Sequence, residues 1–357
     1  MSSENFLLRD VVALNYGKSL PEGARSPGEI PVYGSGGITG THHEALVRGP
    51  GIIIGRKGTV GSVFWEARDF FPIDTVYFAE PIKDGSDRKF IYYLLKSLPL
   101  ARMNSDAAVP GLNREAAYAL RVQLPSPGVQ RRVAAVLSSY DDLIENNRRR
   151  IALLEQSARL LYREWFVHLR FPGHEHVKVV DGVPEGWARR ALGGLATLNY
   201  GKALKADKRH PGPYPVYGSS GIVGSHRVGL SEGPGIILGR KGNVGSVYWA
   251  PQGFFAIDTV YFIDADTSNL YLYHALQNAQ FISTDVAVPG LNRDFAYSRP
   301  LLWPTTLLLD EFLRAVTPIY QQIDKLTQYA EKLRQARDLL LPRLMSGQIQ
   351  PNDTSYA

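Results

Sequence analysis

Two kinds of hydrophobic pattern alternate along this chain, and each occurs twice. Up to about residue 124, short runs rich in Val, Ile, Tyr and Phe, such as GIIIG (Gly51–Gly55), SVFW (Ser62–Trp65) and TVYF (Thr75–Phe78), are separated by Gly, Pro and Asp. Such runs read as β-strands punctuated by turns. A helical stretch, Lys89–Leu98, lies between them and a segment AVPGLNR that ends at Arg114. From Val129 to Arg170 Gly and Pro are scarce, and a seam recurs at steps of three and four: Val133, Leu137, Tyr140, Ile144, Asn147, Ile151, Leu154, Ala158, Leu161 and Trp165. That spacing predicts a long helix with one face made for another helix. The same succession then returns, with a helical stretch at Asn269–Ala279 and a second seam of Phe312, Val316, Ile319, Ile323, Leu326, Ala330, Leu333, Arg337, Leu340 and Leu344.

The return is an internal duplication. GPGIIIGRKGTVGSVFW (Gly49–Trp65) and GPGIILGRKGNVGSVYW (Gly233–Trp249) share fourteen of seventeen positions at a shift of 184. Asn15-Tyr-Gly-Lys18 matches Asn199-Tyr-Gly-Lys202, Pro31-Val-Tyr-Gly-Ser35 matches Pro215-Val-Tyr-Gly-Ser219, and IDTVYF recurs at Ile73 and Ile257. Val109-Pro-Gly-Leu-Asn-Arg114 pairs with Val288-Pro-Gly-Leu-Asn-Arg293 at a shift of 179, so the second copy has lost five residues after Phe262. A period of this size means two whole domains rather than a solenoid. The expected division is a globule at 1–124, a helical spacer at 125–170, a second globule at 171–301 opened by a linker at 171–186, a second spacer at 302–349, and a tail at 350–357. The expected fold class is α+β: two similar globules joined by two long helices packed as an antiparallel coiled coil, with pseudo-two-fold symmetry.

Local signals place the helix ends. Thr317-Pro318 suits an N-cap followed by the first helical position, so a short helix is expected to stop near Val316 and a long one to run over Pro318–Leu341. Ser139 with Asp141 and Asp142 is the equivalent start, giving a helix over Tyr140–Leu169. Such helices span roughly 35–45 Å. Pairing them along Ile144, Asn147, Ile151, Leu154 and Leu161 on one side and Ile323, Leu326, Leu333 and Leu340 on the other is the simplest use of two matched seams. The alternative is that each helix folds back on its own globule. Asn147 reads either as a register-setting polar residue or as a plain surface one.

Composition narrows the chemistry. The chain has 357 residues, a net charge of +6 and no cysteine, which excludes disulfides, thiolate zinc sites and cysteine nucleophiles. The basic balance suits a polyanionic partner. MSSENFLLRD has no apolar signal core, and no run of eighteen apolar residues occurs, so a cytoplasmic protein without a membrane partner is expected.

GIIIGRKG resembles a phosphate cradle but fails both nucleotide patterns. Lys57 follows Arg56 and precedes Gly58, without the Gly-Lys-Ser/Thr ending of a nucleoside-triphosphate loop, and no G-x-G-x-x-G opens a helix. No His-Glu-x-x-His, Gly-x-Ser-x-Gly or metal-ligand spacing is present, and Asp74 and Asp258 in IDTVYF read as strand-end anchors rather than bases. No metal, no bound cofactor and no catalytic residue is therefore expected in this chain. What remains is nucleic-acid binding, in which Gly lets main-chain N–H groups approach phosphate while Arg and Lys supply charge and donor forks. The candidate set is Lys18, Ser35, His42, Arg56, Lys57, Thr59, Asn113 and Arg114, with Lys202, Ser219, His226, Arg240, Lys241, Asn243, Asn292 and Arg293 in the second copy. The bland readings are a tight hairpin turn with solvated charges, and an Asn-Arg pair that only caps the next segment.

PVYGSGGITGTHHEAL, GPGIIIGRKGTVGSV, FPIDTVYF, AVPGLNR, LLEQSARLLYREWFVHLRF and LRQARDLLLPRLMSGQI together resemble the specificity subunit of type I restriction-modification systems. The resemblance covers nearly the whole chain. It implies a non-catalytic reader of double-stranded DNA, with each globule reading one half of a split target. Two methyltransferase subunits using S-adenosylmethionine would dock on the helices and methylate adenine N6. ATP- and magnesium-dependent restriction and translocase subunits would join them. The family's spacers often open with Pro-x-x-Glu-Gln. Here Pro125-Ser-Pro-Gly-Val-Gln130 departs from that pattern, and Pro304-Thr-Thr-Leu-Leu-Leu309 lacks Gln. Competing readings are the specificity protein of an arrangement with fused methyltransferase and nuclease, and a helical protein-binding scaffold that reads no DNA. Two close copies imply a nearly palindromic target with an unread gap, its half-site centres about one DNA turn, 34–36 Å, apart.

Overall fold

The fully apolar strand Gly51–Gly55 organises the first half of the chain. In the computed structural model, which describes residues 4–103, 111–281 and 290–351, this strand lies between Val76–Pro81 and Val63–Glu66, with Val12–Tyr16 at the far edge of an antiparallel sheet. Side chains alternate across it. Ile52 and Ile54 enter the core shared with helix Arg88–Ser97, while Ile53 packs with Tyr33, Phe70 and Val76 on the other face. A continuous hydrophobic run is what a strand covered on both faces requires. The second face is covered by a smaller sheet of Gly37–His42, Ile30–Gly34 and Phe71–Pro72. Helix Arg88–Ser97 is started by Asp87, whose side chain accepts the Phe90 N–H at 2.8 Å. Strand Glu4–Leu7 pairs with Arg121–Leu124 and ties the start of the globule to its end.

The second half repeats this order strand for strand. Asn199–Tyr200, Val260–Ile263, Gly235–Gly239 and Val247–Ala250 form the larger sheet, and Gly221–His226, Tyr214–Gly218 and Phe255–Ala256 the smaller. Ile236 and Leu238 face the helix Leu270–Asn278, and Ile237 faces Tyr217 and Phe254. Strand Ala188–Ala191 pairs with Pro300–Trp303. The helix caps, Asp87 and Asn269, are offset by 182 rather than 184, so two of the five missing residues are lost between strand and helix.

The long helices differ from expectation in both length and continuity. They run over Pro127–Tyr162 and Thr306–Met345, the first closed by a π-turn over Arg163–Val167 before Leu169 enters the left-handed region at φ +58°. Neither starts where the capping signals lie. Ser139 spends its hydroxyl on the Val136 carbonyl within the helix, and Asp141 accepts the Tyr93 hydroxyl at 2.7 Å and the Arg337 guanidinium. Thr317-Pro318 does not break the second helix. Proline removes one N–H bond, to the Arg314 carbonyl, but Arg314, Thr317 and Pro318 are exposed and line an open hollow, where water can serve that carbonyl. Phe312 and Val316, both fully buried, hold the helix on course.

The chain divides into two compact units, residues 1–146 with 329–357 and residues 147–328, so each unit owns a stretch of both helices. In the first unit Val133 and Leu137 share a core with Leu341 and Leu344, and Asp141 meets Arg337. In the second, Ala158 and Tyr162 pack with Phe312 and Val316. The end of the second helix thus packs in the first unit rather than folding back on its own globule. Along the seam Ile144 and Leu326 are buried, whereas Asn147, Ile151, Leu154, Leu161, Ile323, Leu333 and Leu340 are half-buried. Among the described residues no helix is long and apolar enough to cross a membrane.

Two stability predictions follow from these contacts. Asp141→Ala leaves Arg337 and the Tyr93 hydroxyl without their shared acceptor, and urea unfolding should show a loss of about 2 kcal/mol. A change under about 0.5 kcal/mol would contradict the assignment. In the second unit His274 is buried among Tyr162, Phe312 and Tyr320, and burial lowers its pKa from 6.5 to about 4. The unfolded chain therefore binds the extra proton first, and stability falls as pH drops from 6.5 towards 4, by on the order of 3 kcal/mol. His274→Phe should flatten that part of the stability–pH curve, and an unchanged slope would refute the cause.

Candidate nucleic-acid interface

The strand Gly51–Gly55 delivers the GRKG turn to the edge of the larger sheet. Arg56 and Lys57 both donate their backbone N–H to the Thr75 carbonyl, at 2.9 and 3.1 Å; Arg240 and Lys241 do the same to Thr259, at 2.9 and 3.0 Å. The turn then closes on itself, with the Gly61 N–H on the Gly55 carbonyl at 2.8 Å. Gly61 has φ +74°, and a Cβ there would stand 2.2 Å from the Ala101 nitrogen, so this position needs glycine. The neighbouring hairpin, Ile30–His42, braces the turn. Ser35 Oγ accepts the Thr59 N–H at 3.3 Å while Ser62 donates its hydroxyl to the Ser35 carbonyl at 2.6 Å. Ser219, Asn243 and Ser246 repeat the arrangement.

The GLNR segment lies alongside. The Leu112 N–H reaches the Arg56 carbonyl at 2.8 Å, and Leu291 reaches Arg240 at the same distance. Tyr77 donates its hydroxyl to the Leu112 carbonyl at 3.1 Å, as Tyr261 does to Leu291 at 3.0 Å. Asn113 and Asn292 cap short helices, their side-chain oxygens accepting N–H groups of Ala116 and of Asp294 and Phe295. Arg114 and Arg293, the first helical residues, are thereby set beside the turn.

The result is a cluster in which two arginines from distant segments rest against one tyrosine. The guanidinium carbons of Arg56 and Arg114 each lie 5.1 Å from the Tyr16 ring centre. In the second copy Arg240 and Arg293 lie 5.3 and 5.0 Å from Tyr200. The two tyrosines are 48 and 49 % exposed, so the cluster is open to solvent. Beneath them, burial pushes the Tyr77 hydroxyl up to about 12 and raises that of Tyr261, against the pull of the arginines, so both stay neutral donors. In the second copy Tyr200, Arg240, Lys241, Asn292, Arg293 and Asp294 line a shallow cavity of about 240 Å³. Cations stacked on aromatic faces keep their charge and their outer N–H groups for a ligand.

The expected site residues divide accordingly. Arg56, Lys57, Thr59 and Arg114, with Arg240, Lys241, Asn243 and Arg293, share one region. Lys18 and Lys202 are exposed just after the central tyrosines, their backbone N–H groups bonded to Pro72 and Ala256. Ser35 and Ser219 brace the turn from behind. His42 is buried against Phe71 and its Nδ1 accepts the Ser26 N–H at 3.1 Å; His226 packs on Phe255 and accepts from His210. Both histidines staple the hairpin base and do not join the arginine cluster. Val109-Pro110 and Val288-Pro289 lie outside the described residues. Tyr16 and Tyr200 were missed, although their Asn-Tyr-Gly-Lys repeat was visible, because nothing local says that this segment meets GRKG and GLNR.

Comparison with known proteins bears on the same segments. The model of the type I restriction modification DNA specificity domain matches residues 2–156 and 184–293. The type I restriction enzyme MjaIX specificity subunit of Methanocaldococcus jannaschii is 23 % identical over 303 residues, covering 75 % of this chain and 70 % of that protein. Among solved structures, the S subunit of a type I restriction-modification system from M. genitalium superimposes with a TM-score of 0.62 at 18 % identity, covering 97 % of this chain and 96 % of that one. At that identity the likeness concerns the fold.

Proposed function

The chain belongs to the type I restriction-modification DNA specificity family, and from that premise we propose that each of its two units reads one half of a split, nearly palindromic DNA target. It is a specificity subunit, the non-catalytic, target-recognising member of its complex. The observation that carries the bipartite reading is the repetition of one cationic cluster, residue for residue, in both units. The arginine pairs and Lys57 and Lys241 contact backbone phosphates, because identical cations in two modules serve the part of DNA that is the same at every site. Bases are read by the hairpin tip beside the turn. Adenine methylation with S-adenosylmethionine belongs to methyltransferase partners, and ATP- and magnesium-dependent cleavage to a nuclease partner. The complex works in the cytoplasm.

The cation assignment is tested with the full chain and a random-sequence duplex. Arg56→Ala with Lys57→Ala should weaken binding at every sequence and reduce the slope of log affinity against log salt by about 2. An unchanged slope would leave these residues as turn formers. Tyr16→Leu retains both charges, so it should lower affinity several-fold while leaving the salt slope in place; equal affinity would show that the ring does not organise the arginines.

A further inference from the structure

The two units are nearly identical over the hairpin tip and the turn, and there the differences are few. Over the hairpin tip, residues 34–39 and 218–223, and the turn, residues 55–62 and 239–246, only three positions change: Gly36 to Ser220, Thr39 to Val223, and Thr59 to Asn243. The differences just outside these segments fall both inside and at the surface, where His43 and Arg227, Glu44 and Val228, and Arg68 and Gln252 are exposed. Ile54 and Leu238, Glu66 and Ala250, and Pro72 and Ala256 are all buried. Tyr248, in place of Phe64, turns its hydroxyl inward to the Ser219 carbonyl at 3.2 Å.

Of the three, the 39/223 position is also turned to its own hairpin. Thr39 Oγ1 lies 3.4 Å from the Val32 carbonyl, and the Thr39 methyl and a Val223 methyl crowd Gly34 and Gly218 respectively. All three positions are exposed in both units, but only the other two carry side chains that no such hairpin contact engages. They also adjoin: Thr59 Oγ1 stands 3.8 Å from where a Cβ on Gly36 would be. Ser35 Oγ and Ser219 Oγ hold the backbone N–H of Thr59 and Asn243, so in each unit the variable side chain leaves the same anchored point. Arg56 and Lys57, three and two residues before it, do not vary.

We propose that this adjoining pair of positions, Gly36 with Thr59 in the first unit and Ser220 with Asn243 in the second, sets the difference between the bases that the two units read. The proposal rests on the DNA-reading function above. The side chains suit it chemically. Asn243 carries a donor and an acceptor spaced for the N6 and N7 edge of adenine, which Thr59 cannot present; Thr59 offers a hydroxyl and a methyl that fits against a thymine methyl. Ser220 adds a hydroxyl where Gly36 leaves open space. The invariant cations around them fix the backbone of each half-site in the same place, so exchanging the pair changes the bases read without moving the frame.

The experiment maps methylated adenines in DNA from cells carrying the full chain with its methyltransferase subunits. The original chain should give two half-sites related by inversion and differing at a confined position. Gly36→Ser with Thr59→Asn should convert the first half-site into the second, making the target a perfect palindrome. The reverse exchange, Ser220→Gly with Asn243→Thr, should give the palindrome of the other half-site, and it guards against a variant that fails to fold. Half-sites that are identical or unrelated in the original chain, or exchanges that leave the methylated sequence unchanged, would overturn the proposal. An original chain that directs no methylation to any DNA sequence would overturn the DNA-reading itself.

Discussion

Everything in the site depends on two cations being held against one ring. Arg56 and Arg114 come from segments far apart in sequence, and mutual repulsion would keep such side chains apart in water. Here backbone bonding decides their position. The Thr75 carbonyl fixes the start of the turn, the Arg56 carbonyl takes the Leu112 N–H, and the Asn113 cap sets Arg114 as the next residue. Tyr16 then offers its face to both guanidiniums. The ordering of those side chains is completed during folding rather than during binding, which lowers the entropy lost when a polyanion arrives.

The scaffold beneath is the same in both units, yet the helix contacts that secure it are not. Asp141, the first unit's ion-pair residue, corresponds to Tyr320 in the second, and Arg337 corresponds to Ala158. The first unit therefore joins its helix segments with a half-buried charge pair that also takes the Tyr93 hydroxyl. The second joins them with an aromatic cluster around His274, whose Nε2 lies 3.2 Å from the Tyr320 hydroxyl. The second solution holds in acid only while His274 stays neutral. Duplication fixed the readers closely and left the joints free to diverge.

Much of this was legible before any coordinates. GIIIG is apolar at every position because both faces are covered, and its repetition announced two equal sheets. The seams announced two long helices. Their ends were misread because Ser139, Asp141 and Thr317-Pro318 carry genuine capping chemistry that tertiary contacts put to other uses. His42 looked like a contact residue and proved to be a hairpin staple, since a histidine's partner, here the Ser26 N–H, cannot be read from spacing. Gln130, the remnant of the spacer motif, is likewise spent internally, on the Asp87 N–H and the Pro125 carbonyl. Tyr16 was invisible for the opposite reason. Its importance lies in two distant segments converging on it, and convergence is a property of the sheet register.

The central claim is that DNA lies on the two tyrosine–arginine clusters. Chemical modification of arginine guanidinium groups in the full chain, with and without duplex DNA, followed by mass spectrometry of each peptide, addresses it directly. The account predicts that Arg56, Arg114, Arg240 and Arg293 are all protected by DNA, to a similar degree in the two units. Protection confined to arginines elsewhere on the chain, with these four modified as readily as before, would contradict it.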